Sequence, residues 1–383
     1  MGSIELLEEL VGFPTVSAAP NFALIDFVRD YLTGLGATVE VMPNAERSKA
    51  NLFATLGPTD RAGVLLAGHS DVVPAEGQNW SGDPFALRRK DDRLYGRGTA
   101  DMKGFLASVL NAAELASKTP LATPLHIAFS YDEEIGCVGV RPMLERLARR
   151  DFHPRACIIG EPTSMKLALG HKGKMAARAT CCGVAAHSAL APTGLNAIHL
   201  ACDFIAALRT RQNDIAAHGH RDEAYDVPYS TIHVGTIRGG TVLNIVPTRA
   251  TLDFEIRTLA QDDEAAILSA IEADAERLAA AHRAAHPEAA IDIEKLNAYP
   301  GLDVAADAEI VAFMRTILDE PELTRIAFGT EGGLYTRELG IPVIVCGPGS
   351  MDQGHKADEF VTTRQIELCD DMLARLVGRL AED

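Results

Sequence analysis

Apolar positions in the first part of the chain come in two spacings that alternate. Leu24, Ile25, Phe27, Val28, Tyr31 and Leu32 recur at helical period, and Gly34 and Gly36 end that helix. Val39–Val41, Asn51–Leu56 and Gly63–Ala67 are short β-rich runs. The spacing then predicts a helix over Met102–Ala116 and buried strands at Leu125–Phe129 and Ala156–Ile159. Strands separated by helices predict an α/β domain whose mixed, largely parallel sheet is flanked by helices.

After Gly173 the texture changes. Lys174–Gly183 is strand-like, and Leu195–Leu208 is an amphipathic helix with Ile198, Ala201, Ile205 and Leu208 on one face. Alternating strands follow near Thr231–Ile237 and Thr248–Arg257. Asp262, Asp263 and Glu264 suit the start of a long helix electrostatically, and Ile291–Leu296 closes the set as a strand. The order β-α-β-β-α-β is that of a ferredoxin-like α+β unit. Beyond Pro300-Gly301 the first texture returns, with a helix near Ala308–Leu318 and a buried strand at Pro342–Cys346. The expected organisation is one domain in two pieces, 1–172 and 299–383, with a second domain, 173–298, inserted into it.

Composition narrows the function. Of 383 residues 47% are hydrophobic, enough for a large core, and the formal net charge of −17 argues against nucleic acid or an anionic membrane as partner. No apolar run reaches the roughly twenty residues of a membrane span. Met1-Gly2-Ser3-Ile4-Glu5 does not read as a secretory signal. Seven irregularly placed cysteines without a C-x-x-C pair fit reduced thiols in a cytoplasm, and Cys137 and Cys346 read as core.

Candidate chemistry follows the strands. After Val64–Ala67 come Gly68-His69-Ser70-Asp71, after Ile127–Phe129 come Asp132-Glu133-Glu134, and after Cys157–Ile159 come Gly160-Glu161-Pro162. Val343–Val345 leads into a glycine-rich loop ending in His355, and Asp101 stands at a predicted helix start. Ligand crevices of open α/β sheets lie beyond the carboxyl ends of strands, so these groups are expected in one crevice. Two imidazoles with several carboxylates and no thiolate suit zinc, and cobalt or manganese less exclusively. The surplus of carboxylates fits two metals, roughly 3.5–4 Å apart and bridged by one of them.

Gly68-His69-Ser70-Asp71-Val72-Val73-Pro74, Tyr95-Gly96-Arg97-Gly98-Thr99-Ala100-Asp101-Met102-Lys103-Gly104, Asp132-Glu133-Glu134-Ile135-Gly136 and Gly160-Glu161-Pro162-Thr163 resemble, in order, the motifs of the dizinc aminoacylase/carboxypeptidase family. Gly329-Thr330-Glu331-Gly332-Gly333-Leu334 and Gly347–Lys356 look most like its acetylornithine deacetylases. The resemblance implies a dizinc exopeptidase-like fold with a ferredoxin-like lid, and two zinc ions, for which cobalt could substitute. His69 would bind one zinc and His355 the other, Asp101 would bridge them, Glu134 would join the zinc of His69, and Glu161 that of His355. Asp71 would orient His69, and Glu133 would be the general base. A cis peptide is implied between Asp101 and Met102. In the lid, Ala185-Ala186-His187-Ser188 resembles the histidine motif that reaches the partner's site in a homodimer, and Asn244 and Arg257 would contact substrate.

The reaction so implied is removal of an acyl group, first of all acetyl, from an N-acyl amino acid by water in a cytoplasmic homodimer. N-acetyl-L-ornithine, deacetylated in arginine biosynthesis, is the first candidate substrate, and Glu331 could meet its ammonium group. Acetylcitrulline, acetyldiaminobutyrate and succinyl-diaminopimelate are alternatives, as is a dipeptidase or carboxypeptidase activity. A non-catalytic metal-containing binding protein is the remote alternative.

Overall fold

Four apolar runs, Val64–His69, Leu125–Ser130, Ala156–Ile159 and Val343–Val345, form the parallel centre of a nine-stranded sheet in the order 125–130, 64–69, 156–159, 343–345. Each is buried along its whole length, which is why it reads as continuous apolar sequence and not as alternation. Antiparallel neighbours make the sheet mixed: Ala50–Leu56 and Thr38–Pro43 on one side, Leu167–His171 on the other. The computed structural model describes residues 1–150 and 152–382.

Because the central strands run the same way, His69, Ser130, Ile159 and Val345 end at one edge of the sheet. The register confirms it, with His69 opposite Ser130 and Val345 opposite Ile159. Helix Gly104–Ser117 is buried on nearly all sides, between the sheet and helices Ser3–Val11 and Thr363–Glu382. Sequence reading misses the last of these, although Ile366, Cys369, Met372, Leu373, Leu376 and Leu380 line its buried face at helical spacing. A small sheet of Arg88–Lys90, Arg93–Tyr95 and Phe360–Thr362 is also unforeseen.

The chain divides into two units: Met1–Gly170, Leu302–Ile326 and Thr330–Asp383 make the first, and His171–Gly301 with Ala327–Gly329 the second. In the second, four antiparallel strands lie in the order 231–239, 249–258, 173–182, 290–299. Met175, Ala177, Ala179 and Cys181 alternate inward and meet Phe204, whose ring packs edge-on against Phe254 at 6.0 Å. Asn196 and Asp263 cap the two helices, accepting from Ile198 and His199 and from Ala265 and Ala266. The first helix runs on to His218, past the expected end at Leu208. Its polar extension is held by Arg211, which bonds Asp274 and the Ala270 carbonyl of the other helix, Glu264–Ala280. The expected helix at Ala308–Leu318 is shorter, Glu309–Met314, and continues only as turns.

Close packing carries one strand end into place. A Cβ on Gly160 would lie 1.9 Å from Cγ of the fully buried Phe105, so only glycine lets Glu161 follow its strand without a shift. Gly160→Ala is expected to destabilise by about 1–3 kcal/mol, and Phe105→Ala by about 3–5 kcal/mol. The double variant should lose less than the sum, because the new methyl enters the space the ring vacates. Urea denaturation of the three variants checks this.

Candidate metal centre

The strand ends converge on a cluster of imidazole and carboxylate groups. His69 Nε2 lies 3.1 Å from Asp101 Oδ1 and 3.6 Å from Glu161 Oε1. His355 Nε2 lies 3.1 Å from Asp101 Oδ2 and 3.0 Å from Glu134 Oε2. Asp101 thus turns one oxygen to each imidazole. Donor atoms of His69, Glu133 and Glu161, and of His69, Asp101 and Glu134, fall into two groups, each spanning at most 4.8 Å.

The family resemblance pairs Glu134 with His69 and Glu161 with His355. Here Glu161 stands near His69, after a strand hydrogen-bonded directly beside that of His69. Glu134 makes its shortest imidazole contact with His355 and also falls in one donor group with His69 and Asp101.

Local structure holds each group. Asp101 lies in a wide turn, Thr99–Lys103, after Gly98 at φ 82°, and its peptide bond to Met102 is cis. The Met102 thioether accepts from His69 N at 3.3 Å. Asp71 anchors the acidic turn: its carboxylate accepts from Glu133 N at 3.0 Å and from the Ser17 hydroxyl at 2.7 Å. The same carboxylate stands 3.5 Å from His69 Nδ1, whose nearer partner is the Asp71 carbonyl at 2.9 Å. Asp132, at φ 54°, accepts from Ala18 N and pairs with Lys49, fixing the turn from its other side.

Charge is out of balance here. Loss of water pushes Glu133 up to about 8, with Glu134, Glu331 and Asp101 adding repulsion. Glu134 is pushed up to about 7, and Glu161 well above the carboxylate range, for the same reason. His355 is raised to about 10 by its bonds to Asp101 and Glu134. Burial lowers the His69 pKa, but Asp101 and Asp71 outweigh it and hold the group well above its usual value. Carboxylates crowded with two imidazoles, without thiolate, form a donor set that fits divalent cations, which would reverse this repulsion.

Sequence reading misses some neighbours. The Cys137 thiol, which reads as core, donates to Glu133 Oε1 at 3.2 Å. Glu359 and Arg97, paired at 2.7 Å and almost fully buried, lie behind Asp101. Apart from Arg97 lying in a quoted motif, no spacing marks these three. Glu331 is 2% exposed and accepts from the Ser130 hydroxyl at 2.6 Å. It is therefore buried beside the cluster, close enough to Glu133 to add to the repulsion there.

The remaining expected residues lie on the second unit. His187 pairs with Ile245 in an isolated bridge, and Ser188 N donates to the Asn244 carbonyl at 3.0 Å, so His187 and Asn244 are neighbours. His187 Nδ1 accepts from Ala189 N. Arg257 is already engaged: it donates to Glu255 and, at 3.2 Å, to the Tyr299 hydroxyl.

A mixed α/β sheet that gathers such donors at its strand ends defines a metal-dependent hydrolase. The chain belongs to peptidase family M20/M25/M40, whose model matches residues 65–379. It is 33% identical to the acetylornithine deacetylase of Pasteurella multocida (strain Pm70), over 98% of this chain and 97% of the relative. Among solved structures it resembles the M20 family metallo-carboxypeptidase Sso-CP2 from Sulfolobus solfataricus, with TM-score 0.82 and 17% identity, covering 100% of this chain and 99% of the other. It also resembles the Bacillus subtilis YXEP protein, described as a dinuclear metal binding peptidase, with TM-score 0.70 and 15% identity over 99% and 98% of the two chains. The chain is thus an M20 metallo-hydrolase of linear amides.

A carboxyl whose folded pKa is raised stabilises the fold below its unfolded pKa, and loses that contribution as pH rises through the folded value. For Glu133 and Glu134 the window runs from the usual carboxylate value to about 8 and about 7. His69 and His355 act in the same direction above the usual imidazole value. Bound cations displace these protons, so stabilisation by metal should grow with pH. The gap in melting temperature between metal-loaded and chelator-stripped protein is expected to widen from about pH 5 to about pH 8. Calorimetry at fixed metal checks it, and a gap that narrows contradicts the assignment.

Proposed function

We propose that the protein is a two-metal N-acyl amino acid deacylase, with zinc as the metal, cobalt able to replace it, and N-acetyl-L-ornithine as substrate in arginine biosynthesis. The observation that carries the catalytic reading is the position of Glu133: inside the cluster, yet not the closest partner of either imidazole, and bonded by the Cys137 thiol. The deacetylase relative at 33% identity over nearly the whole chain supports the substrate, and the likeness to the dinuclear B. subtilis peptidase supports a two-metal site. His69 with Glu161 would hold one metal, His355 with Glu134 the other, and Asp101 both.

Two bound divalent cations would polarise the amide carbonyl and make water a nucleophile near neutral pH. Glu133, ionised, takes the proton of the attacking water. As the C–O bond forms and the C–N bond breaks, it passes that proton to the amine nitrogen, and the remaining water proton leaves the new acid for the amine or solvent, giving a carboxylate and the free amino acid. Asp71 keeps the His69 imidazole and the Glu133 turn in register. His187 donates to the oxygen that gathers negative charge. Asn244 binds the substrate beside it, and Arg257 grips the substrate carboxylate by sharing a donor now given to Glu255 or Tyr299.

We also propose a cytoplasmic homodimer formed through the second unit. All seven cysteines are free, consistent with a reducing compartment. Strand Thr231–Gly239 ends its sheet, and Ile237, Val242, Leu243 and Ile245 nearby are exposed apolar side chains. Sedimentation should give the mass of two chains, and a monomer that keeps full activity on dilution would rule out a partner's histidine in the site.

Glu133→Gln is expected to lower kcat by about a hundredfold to ten-thousandfold while the protein keeps its metal, as read by elemental analysis after gel filtration. Turnover of acetylornithine should exceed that of acetylcitrulline, acetyldiaminobutyrate, succinyl-diaminopimelate and simple dipeptides. A higher rate on a dipeptide or on succinyl-diaminopimelate would transfer the assignment to that class.

A further inference from the structure

The Glu359 carboxylate is saturated by donors. Its Oε1 accepts from Ala100 N at 2.9 Å and Asp101 N at 3.1 Å, and its Oε2 from Gly98 N at 3.0 Å and Arg97 Nη1 at 2.7 Å. These backbone N–H groups belong to the turn that presents Asp101, where the regular helical ladder has not begun. The backbone joins in, with Gly96 N donating to the Glu359 carbonyl at 3.0 Å.

Arg97 carries the network onward. Its guanidinium lies over the Trp80 ring, 4.9 Å from the centroid, and donates to Gln78 Oε1 at 2.5 Å and towards the Lys356 carbonyl at 3.4 Å. Gln78 Nε2 in turn donates to the carbonyl of His355 at 3.1 Å. One connected set of hydrogen bonds therefore runs from the amide of Asp101 to the carbonyl of His355. The two residues come from distant parts of the chain. His355 needs such support: its side chain is 43% exposed, against 2% for His69, and its backbone sits at φ 61°.

We propose that Glu359, with Arg97 and Gln78, is a positioning unit that sets the approach of His355 to Asp101, and so the affinity of the His355 side of the centre over the His69 side. This rests on the metal reading above. A buried ion pair that only stabilised the fold would change melting temperature without changing one metal position relative to the other. Outer partners of metal ligands are worth about 10–100-fold in affinity, which is the size of effect expected.

The test is calorimetric titration of chelator-stripped protein with Zn²⁺, with Co²⁺ absorption as a second readout. Wild type should take up two equivalents, and His355→Ala should lose one. Glu359→Gln should weaken one equivalent about tenfold or more, shift the Co²⁺ spectrum, and lower kcat more than it changes KM. Because breaking a buried pair can cost folding, Gln78→Ala is the second variant. It removes the link to the His355 carbonyl together with the bonds Gln78 Oε1 accepts from Arg97 and Trp80, leaves the Arg97–Glu359 pair in place, and should weaken the same equivalent with little change in melting temperature. If His355→Ala loses one equivalent while Gln78→Ala and any folded Glu359→Gln titrate like wild type, or weaken both equivalents alike, the positioning role is overturned and the metal reading stands. If His355→Ala keeps both equivalents, the metal reading fails and the proposal with it.

Discussion

The structure depends on one crowded electrostatic arrangement: the Asp101 carboxylate held between two imidazoles, with Glu133, Glu134 and Glu161 close around it. So many acids do not gather without compensation, because each raises the cost of ionising the next. The fold supplies direction, and bound divalent cations would supply the charge. Parallel strands bring His69, the acidic turn and Glu161 to the same edge, and the turn before Gly104 offers Asp101 from a helix entrance. Backbone N–H bonds accepted by Asp71, Asp132 and Glu359 then keep the loops from relaxing apart.

Much of this is legible in the sequence because burial writes itself there. Strands covered on both faces read as unbroken apolar runs, so the polar residue after each one stands out. Strand Gly173–Cys182 alternates as a half-covered sheet should. Less legible is anything set by the direction of a side chain. Glu133 and Glu134 are adjacent in sequence and both come near His69, but only Glu134 also contacts His355, which no spacing rule resolves. Arg257 looks like a free guanidinium and is engaged by Glu255 two residues away on the same strand. Glu359 acts through contacts across the fold, whereas Cys137 meets Glu133 only four residues away, through a turn whose path the spacing does not reveal. Helix Thr363–Glu382 is a different kind of miss, since its buried stripe is plain once the spacing is counted.

The two units divide the labour by chemistry. The first is a rigid frame of buried strands and fixed loops, suited to holding charged groups at set distances. The second puts His187 and Asn244 on exposed segments bounded by the isolated bridge to Ile245, suited to meeting something that arrives from outside.

The discontinuity of the first unit also has a temporal meaning. A chain leaving the ribosome presents His69, Asp101, Glu133, Glu134 and Glu161 early, but His355, Glu359 and the central strand Val343–Val345 only after the entire second unit has been made. Domains form from the amino end during synthesis. The acidic half of the centre therefore waits, exposed and incomplete, while the inserted unit folds. The centre gains its full donor set only after the inserted unit has been made, so a cation that needs all of these groups would be held late in the order of synthesis.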